Sequence, residues 1–104
     1  MIVYNTTFHV AKGYDADFLR FTRTVFIPQA IADGTLRNPR LSMVLARAEG
    51  DDGTSYSVQF DAQDVDSLQK WYSVVGRVIF ENNSHILGKH TTGFSTLMQV
   101  LPIE

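Results

Sequence analysis

The amino-acid sequence predicts an α+β fold of the ferredoxin-like type, in which two helices cover one face of a four-stranded antiparallel sheet. Four segments alternate apolar and polar residues with the period of two that is typical of strands. Two further segments repeat apolar residues at spacings of three and four, as amphipathic helices do. The order is strand, helix, strand, strand, helix, strand. Right-handed crossovers convert this order into a βαββαβ sandwich whose first and third strands are central, although other folds share the same order.

The first strand is predicted over residues 2–11. Because side chains of a strand point alternately to its two faces, this segment has one apolar face and one mixed face. The apolar face carries Ile2, Tyr4, Phe8 and Val10, and the mixed face carries Val3, Asn5, Thr7 and His9. We expect helices to cover the apolar face.

The first helix is predicted to follow Asp15, whose carboxylate can cap the amides of the first helical turn. Its buried stripe consists of Tyr14, Phe18, Phe21 and Val25. Pro28 has no amide hydrogen, so we expect the helix to end or kink there, with a short second piece reaching Ala32. Gly34 then suits the left-handed backbone that often ends a helix.

The second and third strands are predicted over residues 40–48 and 54–61, joined by a turn over residues 49–53. Leu41, Met43 and Leu45 lie on one side of the second strand, and Val44 and Ala46 lie on the other. The third strand alternates Tyr56, Val58 and Phe60 with Ser57, Gln59 and Asp61.

The second helix is predicted to begin at a cap formed by Asp64. Its apolar stripe consists of Val65, Leu68, Trp71, Tyr72, Val75, Val78 and Ile79. The last strand is predicted over residues 94–101. It carries Phe94, Met98 and Val100 on one face, and Leu97 and Leu101 on the other.

Composition limits the function. The chain has 104 residues, a net charge of −2, a sequence pI near 5.8 and no cysteine. This length predicts a single domain over residues 1–104. The charge gives no reason to expect a nucleic acid or a membrane as partner, and the missing thiols exclude disulfides and thiolate catalysis. No segment reads as a signal peptide or a membrane span, so a cytoplasmic location is the expectation.

The face of the sheet without helices is predicted to form a homodimer. Nine residues are assigned to it: Val3, Asn5, Thr7, His9, Val44, Ser57, Gln59, Leu97 and Leu101. Its apolar members come from the outer strands and its polar members from the central ones. A second copy would remove the apolar side chains from water and enclose the polar ones. The predicted ligand-binding residues are therefore Asn5, Thr7, His9, Ser57 and Gln59.

His9 is a weak candidate for a catalytic base, with Asn5 and Gln59 positioning a small polar substrate. The alternative is that His9 lies in solvent at the strand end while the two amides bond across the dimer interface. His85 and His90 are five residues apart in a loop, and no carboxylate nearby completes a zinc site. We therefore predict no metal and no cofactor.

Four strings of the sequence carry a resemblance to a known family. They are Met1-Ile2-Val3-Tyr4-Asn5-Thr6-Thr7-Phe8, Ile27-Pro28, Thr54-Ser55-Tyr56-Ser57-Val58-Gln59-Phe60 and Gly93-Phe94-Ser95-Thr96-Leu97. Together they resemble a family of short bacterial proteins known as a domain of unknown function, which is similar to the dimeric α+β barrel superfamily. The resemblance implies a dimer of ferredoxin-like subunits that binds a small molecule or serves as an interaction module. Because that superfamily includes oxygenases and isomerases, the resemblance also implies an alternative: a cofactor-independent enzyme acting on a small polar or aromatic substrate.

Overall fold

Four strands form a single antiparallel sheet in the computed structural model, which describes residues 1–45, 52–84 and 88–104. The strands are β1 (Ile2–Ala11), β2 (Arg37–Met43), β3 (Gly53–Ala62) and β4 (Thr91–Gln99). Their order across the sheet is β2-β3-β1-β4, and every neighbouring pair is antiparallel. This order, with β1 and β3 central, confirms the predicted ferredoxin-like fold.

Two helices cover one face of the sheet, and each contains a π-helical turn in its middle. The first helix comprises α1 (Asp15–Phe21), a π-helical segment (Thr22–Phe26) and α2 (Ile27–Ile31). The second helix comprises α3 (Val65–Trp71), a π-helical segment (Tyr72–Gly76) and α4 (Arg77–Asn82). The two halves of the chain thus repeat the same arrangement. None of the described helices has the length and apolarity needed to cross a membrane.

The π-helical turns change which side chains face the sheet. A π-turn takes one residue more than an α-turn, so the apolar stripe shifts along the helix. Tyr72 and Val78, predicted in the buried stripe, are exposed, whereas Gly76 is buried. In the first helix Phe26, the last residue of the π-helical segment, is fully buried, whereas Tyr14 precedes α1, is partly exposed and stacks on His90.

The helix ends differ in part from the prediction. Asp64 caps α3 as expected, because its carboxylate accepts from the Ser67 amide at 2.8 Å. Asp15 is the first residue of α1 and makes no cap; its carboxylate instead accepts from the Tyr56 hydroxyl at 2.6 Å. Pro28 does not end the helix: it lies in α2, which continues directly from the π-helical segment and reaches Ile31.

Trp71 connects the two helices to the sheet. Its indole nitrogen donates to the Ala30 carbonyl oxygen at 2.9 Å, and its ring meets Tyr4 edge to face with 5.9 Å between centroids. The ring also lies against Gly76, where an added Cβ would be 2.6 Å from it. The second helix therefore needs glycine at this position to pack as closely as it does.

Two strand boundaries and one face assignment require correction. β2 begins at Arg37 rather than residue 40 and ends at Met43, and residues 46–51, which include most of the predicted turn, lie outside the described part of the chain. β4 spans Thr91–Gln99 rather than residues 94–101. Leu97 pairs with Tyr4 on the helix-covered side, and Leu101 lies beyond the strand. The helix-free face instead receives Phe94 and Met98, because they pair with Thr7 and Val3.

We predict that Gly76→Ala lowers the free energy of unfolding by up to about 2 kcal/mol, as measured by urea denaturation. Alanine has the better helix propensity by about 1 kcal/mol, but overpacking against a buried ring costs about 1–3 kcal/mol. Ser73→Ala, in the same π-helical segment but exposed, is the control and should change stability by less than about 0.5 kcal/mol. A Gly76→Ala protein more stable than wild type would contradict the role of this contact.

Candidate functional site

The helix-free face of the sheet brings together the residues predicted to bind a ligand. The register places Asn5 beside Gln59, and Thr7 beside Ser57. His9 lies on the same face, beside Ser55. All five predicted residues thus share one surface on the two central strands, and their role in binding stays a prediction.

A short chain of hydrogen bonds organises the centre of this face. The Ser57 hydroxyl donates to Asn5 Oδ1 at 2.5 Å, and Asn5 Nδ2 donates to the Thr7 hydroxyl at 3.1 Å. Asn5 is only 9% exposed even though no helix covers it. These bonds fix the orientation of the amide and direct the remaining hydrogen-bonding capacity of Thr7 and Ser57 outward.

His9 lies toward the end of the face where β3 begins. Its Nδ1 is 3.3 Å from the Ser55 hydroxyl, and the ring lines a pocket of about 440 Å³ together with Lys12, Lys89 and His90. Gly53 makes room for the ring, because an added Cβ would lie 2.7 Å from His9 Nε2. The His9 ring therefore lies between the Ser55 hydroxyl and the backbone at Gly53, which has no side chain.

Arg40 forms a polar network on this face that sequence reasoning missed. Its Nη2 pairs with Asp61 Oδ1 at 2.9 Å, and its Nε donates to Gln59 Oε1 at 3.3 Å. Asn38 completes the network: its Nδ2 donates to Asp61 Oδ2 at 3.0 Å, and its carbonyl accepts from Arg40 Nη1 at 2.8 Å.

A bulge in β2 positions this arginine. Arg37 pairs with Asp61 and Arg40 pairs with Gln59, so three steps along β2 match two along β3. Asn38 has a φ of +53°, a left-handed backbone that asparagine tolerates better than most residues. The Asn38-Pro39 pair in an otherwise strand-like segment is the signal that could have indicated the bulge.

The network lowers the pKa of Asp61. The main cause is the hydrogen bond from Arg40, followed by the hydrogen bond from Asn38, and both stabilise the ionised carboxylate. Partial burial of the carboxyl group opposes this effect. The face therefore holds a compensated ion pair at neutral pH.

Apolar side chains of β4 border the polar centre. Phe94 is 64% exposed and Met98 is 41% exposed, and both lie on the helix-free side. Val3 lies beside Met98, and Val44 lies at the opposite edge, where its amide bonds to Ser55. The predicted apolar border is present at the β4 edge, where Phe94 and Met98 take the places assigned to Leu97 and Leu101. At the β2 edge Val44 shares the face with Arg40 and Ser42, so that edge is mostly polar.

Potential metal ligands do not gather within the residues that the structure describes. No group of three histidine or carboxylate side chains is close enough to hold an ion there. His85 lies outside these residues, and the ring of His90 stacks on Tyr14 with 3.5 Å between centroids.

Comparisons place the chain among proteins of known fold. Residues 1–101 match the family described as "Domain of unknown function (DUF4286)", whereas no curated protein matches the chain. A protein of the family described as "ethyl tert-butyl ether d (ethd)", from Bacillus halodurans, is 15% identical and has a TM-score of 0.71; the match covers 97% of this chain and 100% of that one. A putative antibiotic biosynthesis monooxygenase from Deinococcus radiodurans is 12% identical with a TM-score of 0.70, covering 100% and 96%. A dimeric ferredoxin-like protein from an uncultured marine organism is 12% identical with a TM-score of 0.72, covering 98% and 96%. At these identities the similarity shows the fold.

We predict that Asp61→Asn lowers the free energy of unfolding at pH 7 by about 1–3 kcal/mol, because it removes a charge-assisted hydrogen bond to Arg40. The folded-state pKa of Asp61 lies below the unfolded value of about 4. Its contribution is therefore complete above that value and is lost as the pH falls through the folded pKa. Urea denaturation should show the difference between variant and wild type shrinking in that acidic range.

Asp17→Asn is the matched control, since no described residue forms an ion pair with Asp17. It should change stability by less than about 0.5 kcal/mol. A difference for Asp61→Asn that stays constant below pH 4 would contradict the assignment.

Proposed function

The chain belongs to the DUF4286 family, whose function is unknown, and from that premise we propose that it is a homodimeric protein that binds a small molecule. In this proposal the helix-free sheet faces of two copies pack together, as in dimeric α+β barrels. The polar centres of both faces then line an enclosed space. Asn5, Thr7, His9, Ser57 and Gln59 contact the ligand.

The single observation that carries this proposal is the apolar border that β4 forms beside the polar centre of the helix-free face. Phe94 and Met98 are large apolar side chains exposed on a sheet face that none of the described elements of the same chain covers. Covering them with a second copy gains about 25 cal/mol for each Å² of apolar surface removed from water. The dimeric ferredoxin-like protein from the marine organism supports self-association as a use of this fold.

The chemistry of the polar centre favours a small polar ligand. Arg40 and Asp61 compensate each other, so the face presents no unbalanced charge from this pair to an enclosed molecule. The hydroxyl groups of Thr7 and Ser57 can extend the existing hydrogen-bond chain to a bound molecule. A ligand with both donors and acceptors fits this lining better than an ion does.

A second candidate is a cofactor-independent oxygenase or isomerase. It is favoured by the pocket beside His9 and by structural neighbours named as antibiotic biosynthesis monooxygenases. His9 would accept a proton from the substrate, while Asn5 and Gln59 would orient it. The resulting carbanion would either take the proton back at another carbon, which is isomerisation, or react with dioxygen as the co-reactant.

We predict that Met98→Asp converts the dimer to a monomer at micromolar concentration, measured by sedimentation equilibrium. A carboxylate forced into a water-excluded interface without a partner costs several kcal/mol, which raises the dissociation constant at least about a hundredfold. Leu97→Asp is the matched control, because the neighbouring residue is also about half exposed but points to the helix side. Wild-type protein that is monomeric, or dissociation by Leu97→Asp alone, would contradict the proposed interface.

We expect ligand binding to depend on Thr7. The thermal midpoint of the protein would be measured with a panel of phenols and quinones, and at least one should raise it. Thr7→Val keeps the shape of the side chain but removes the hydroxyl, so the shift should fall, while Thr24→Val on the exposed side of the first helix should retain it.

His9→Gln separates the two candidate functions. Loss of substrate turnover with retained binding would identify the enzyme, whereas binding without turnover in wild-type protein supports a binding module. If no compound shifts the midpoint and native mass spectrometry finds no bound molecule, the ligand proposal is wrong.

A further inference from the structure

A second cavity lies on the opposite side of the sheet, between the second helix and β4. Its volume is about 490 Å³, and its lining includes Tyr4, Leu68, Gln69, Tyr72, Ser95 and Leu97. We propose that this helix-side cavity binds a small, uncharged, mostly apolar molecule that carries an oxygen acceptor. This site is separate from the helix-free face and does not depend on the dimer.

The cavity exists because the two helices do not reach the edge strand. Apart from Thr91, the residues of β4 are exposed on both faces of the sheet. Leu97 is therefore 51% exposed although it lies on the helix-covered side, next to the buried Tyr4. An apolar molecule of suitable size would cover this surface, and the volume is within the usual range for ligand pockets of about 300–1,000 Å³.

The hydroxyl of Tyr4 indicates that the bound molecule carries a hydrogen-bond acceptor. Tyr4 is only 4% exposed, and its ring is held by Phe60 at 6.4 Å and Trp71 at 5.9 Å between centroids. Among the described residues, none forms a hydrogen bond with its hydroxyl. Among the described side chains only Thr22 Oγ1 is both fully buried and without a partner, so the Tyr4 hydroxyl oxygen is accessible although its ring is buried. Since Tyr4 also lines the cavity, the geometry directs its unused donor to whatever occupies that space.

The remaining polar groups make the site neutral. The hydroxyl of Ser95 is paired with that of Thr6 at 3.0 Å, and the Ser73 hydroxyl donates to the Gln69 carbonyl at 3.0 Å. None of the described residues that line the cavity is charged. The polar groups left to a ligand are the tyrosine hydroxyls, the Gln69 amide and the one O–H of the Ser95–Thr6 pair that their mutual bond does not use. An ionised ligand would lose its hydration without gaining a counter-charge, whereas a ketone, ether or alcohol would not.

The test uses the full 104-residue protein and the fluorescent probe prodan, an uncharged naphthalene that carries a ketone. Prodan emission should shift to the blue and saturate, and anionic anilinonaphthalene sulfonate should bind at least tenfold more weakly. Tyr4→Phe should weaken prodan binding about fivefold, the usual effect of one neutral hydrogen bond. Its thermal midpoint without probe should stay close to that of wild type, because the hydroxyl opens onto the cavity and has no partner among the described residues to lose.

Two tryptophan substitutions locate the probe. Ser73→Trp should abolish binding by filling the cavity. Thr24→Trp should not, although Thr24 is the matched position: it is also exposed, lies in the π-helical segment of the first helix, and its hydroxyl also bonds to a backbone carbonyl four residues earlier. The monomeric Met98→Asp variant should bind prodan as wild type does, so failure of this proposal and failure of the dimer are distinguishable.

Four results would overturn the proposal. They are the absence of saturable prodan binding, equal affinity of Tyr4→Phe and wild type, a lower thermal midpoint for Tyr4→Phe, and loss of binding in Thr24→Trp with retention in Ser73→Trp.

Discussion

The position of the helix layer depends on the hydrogen bond from the Trp71 indole to the Ala30 carbonyl. This bond joins the end of the first helix to the middle of the second, and both ends of the contact are buried. The indole ring packs on Tyr4 in the sheet and requires glycine at position 76. Because this contact centres the helices over β1 and β3, it leaves both sides of β4 and the whole opposite face of the sheet without cover.

The alternation of side chains along β4 then supplies two surfaces of different chemistry. Phe94 and Met98 border the helix-free face, whose centre contains hydroxyls, amides and a compensated ion pair. Ser95 and Leu97 face the other way, into a cavity without charged side chains. A single edge strand thus connects the proposed dimer interface and the proposed site for an apolar molecule, and a shift of its register by one residue would exchange the two.

The features predicted correctly from the sequence are those that interactions between neighbouring residues determine. Asp64 was recognised as a helix cap because the cap involves only its own turn. The burial of Phe26 and the exposure of Tyr72 could not be read from spacing, since the π-helical turns break the regular period. Arg40 was missed because a bulge in β2 determines its direction. Leu97 was predicted on the wrong face because β4 is exposed on both sides. Its pairing with β1, and not its own sequence, determines which of its side chains face the helices.

The sequence alone determined the element order, the ferredoxin-like fold and the five polar residues that share the helix-free face. These follow from alternation in two central strands, where burial of one side leaves a strong pattern. Only the tertiary structure decided the partners of Arg40, the face of Leu97 and the position of Tyr4 at the helix-side cavity. Each of these depends on contacts between residues far apart in the chain. The alternation of apolar and polar residues within one strand does not determine the register in which that strand pairs with its neighbour.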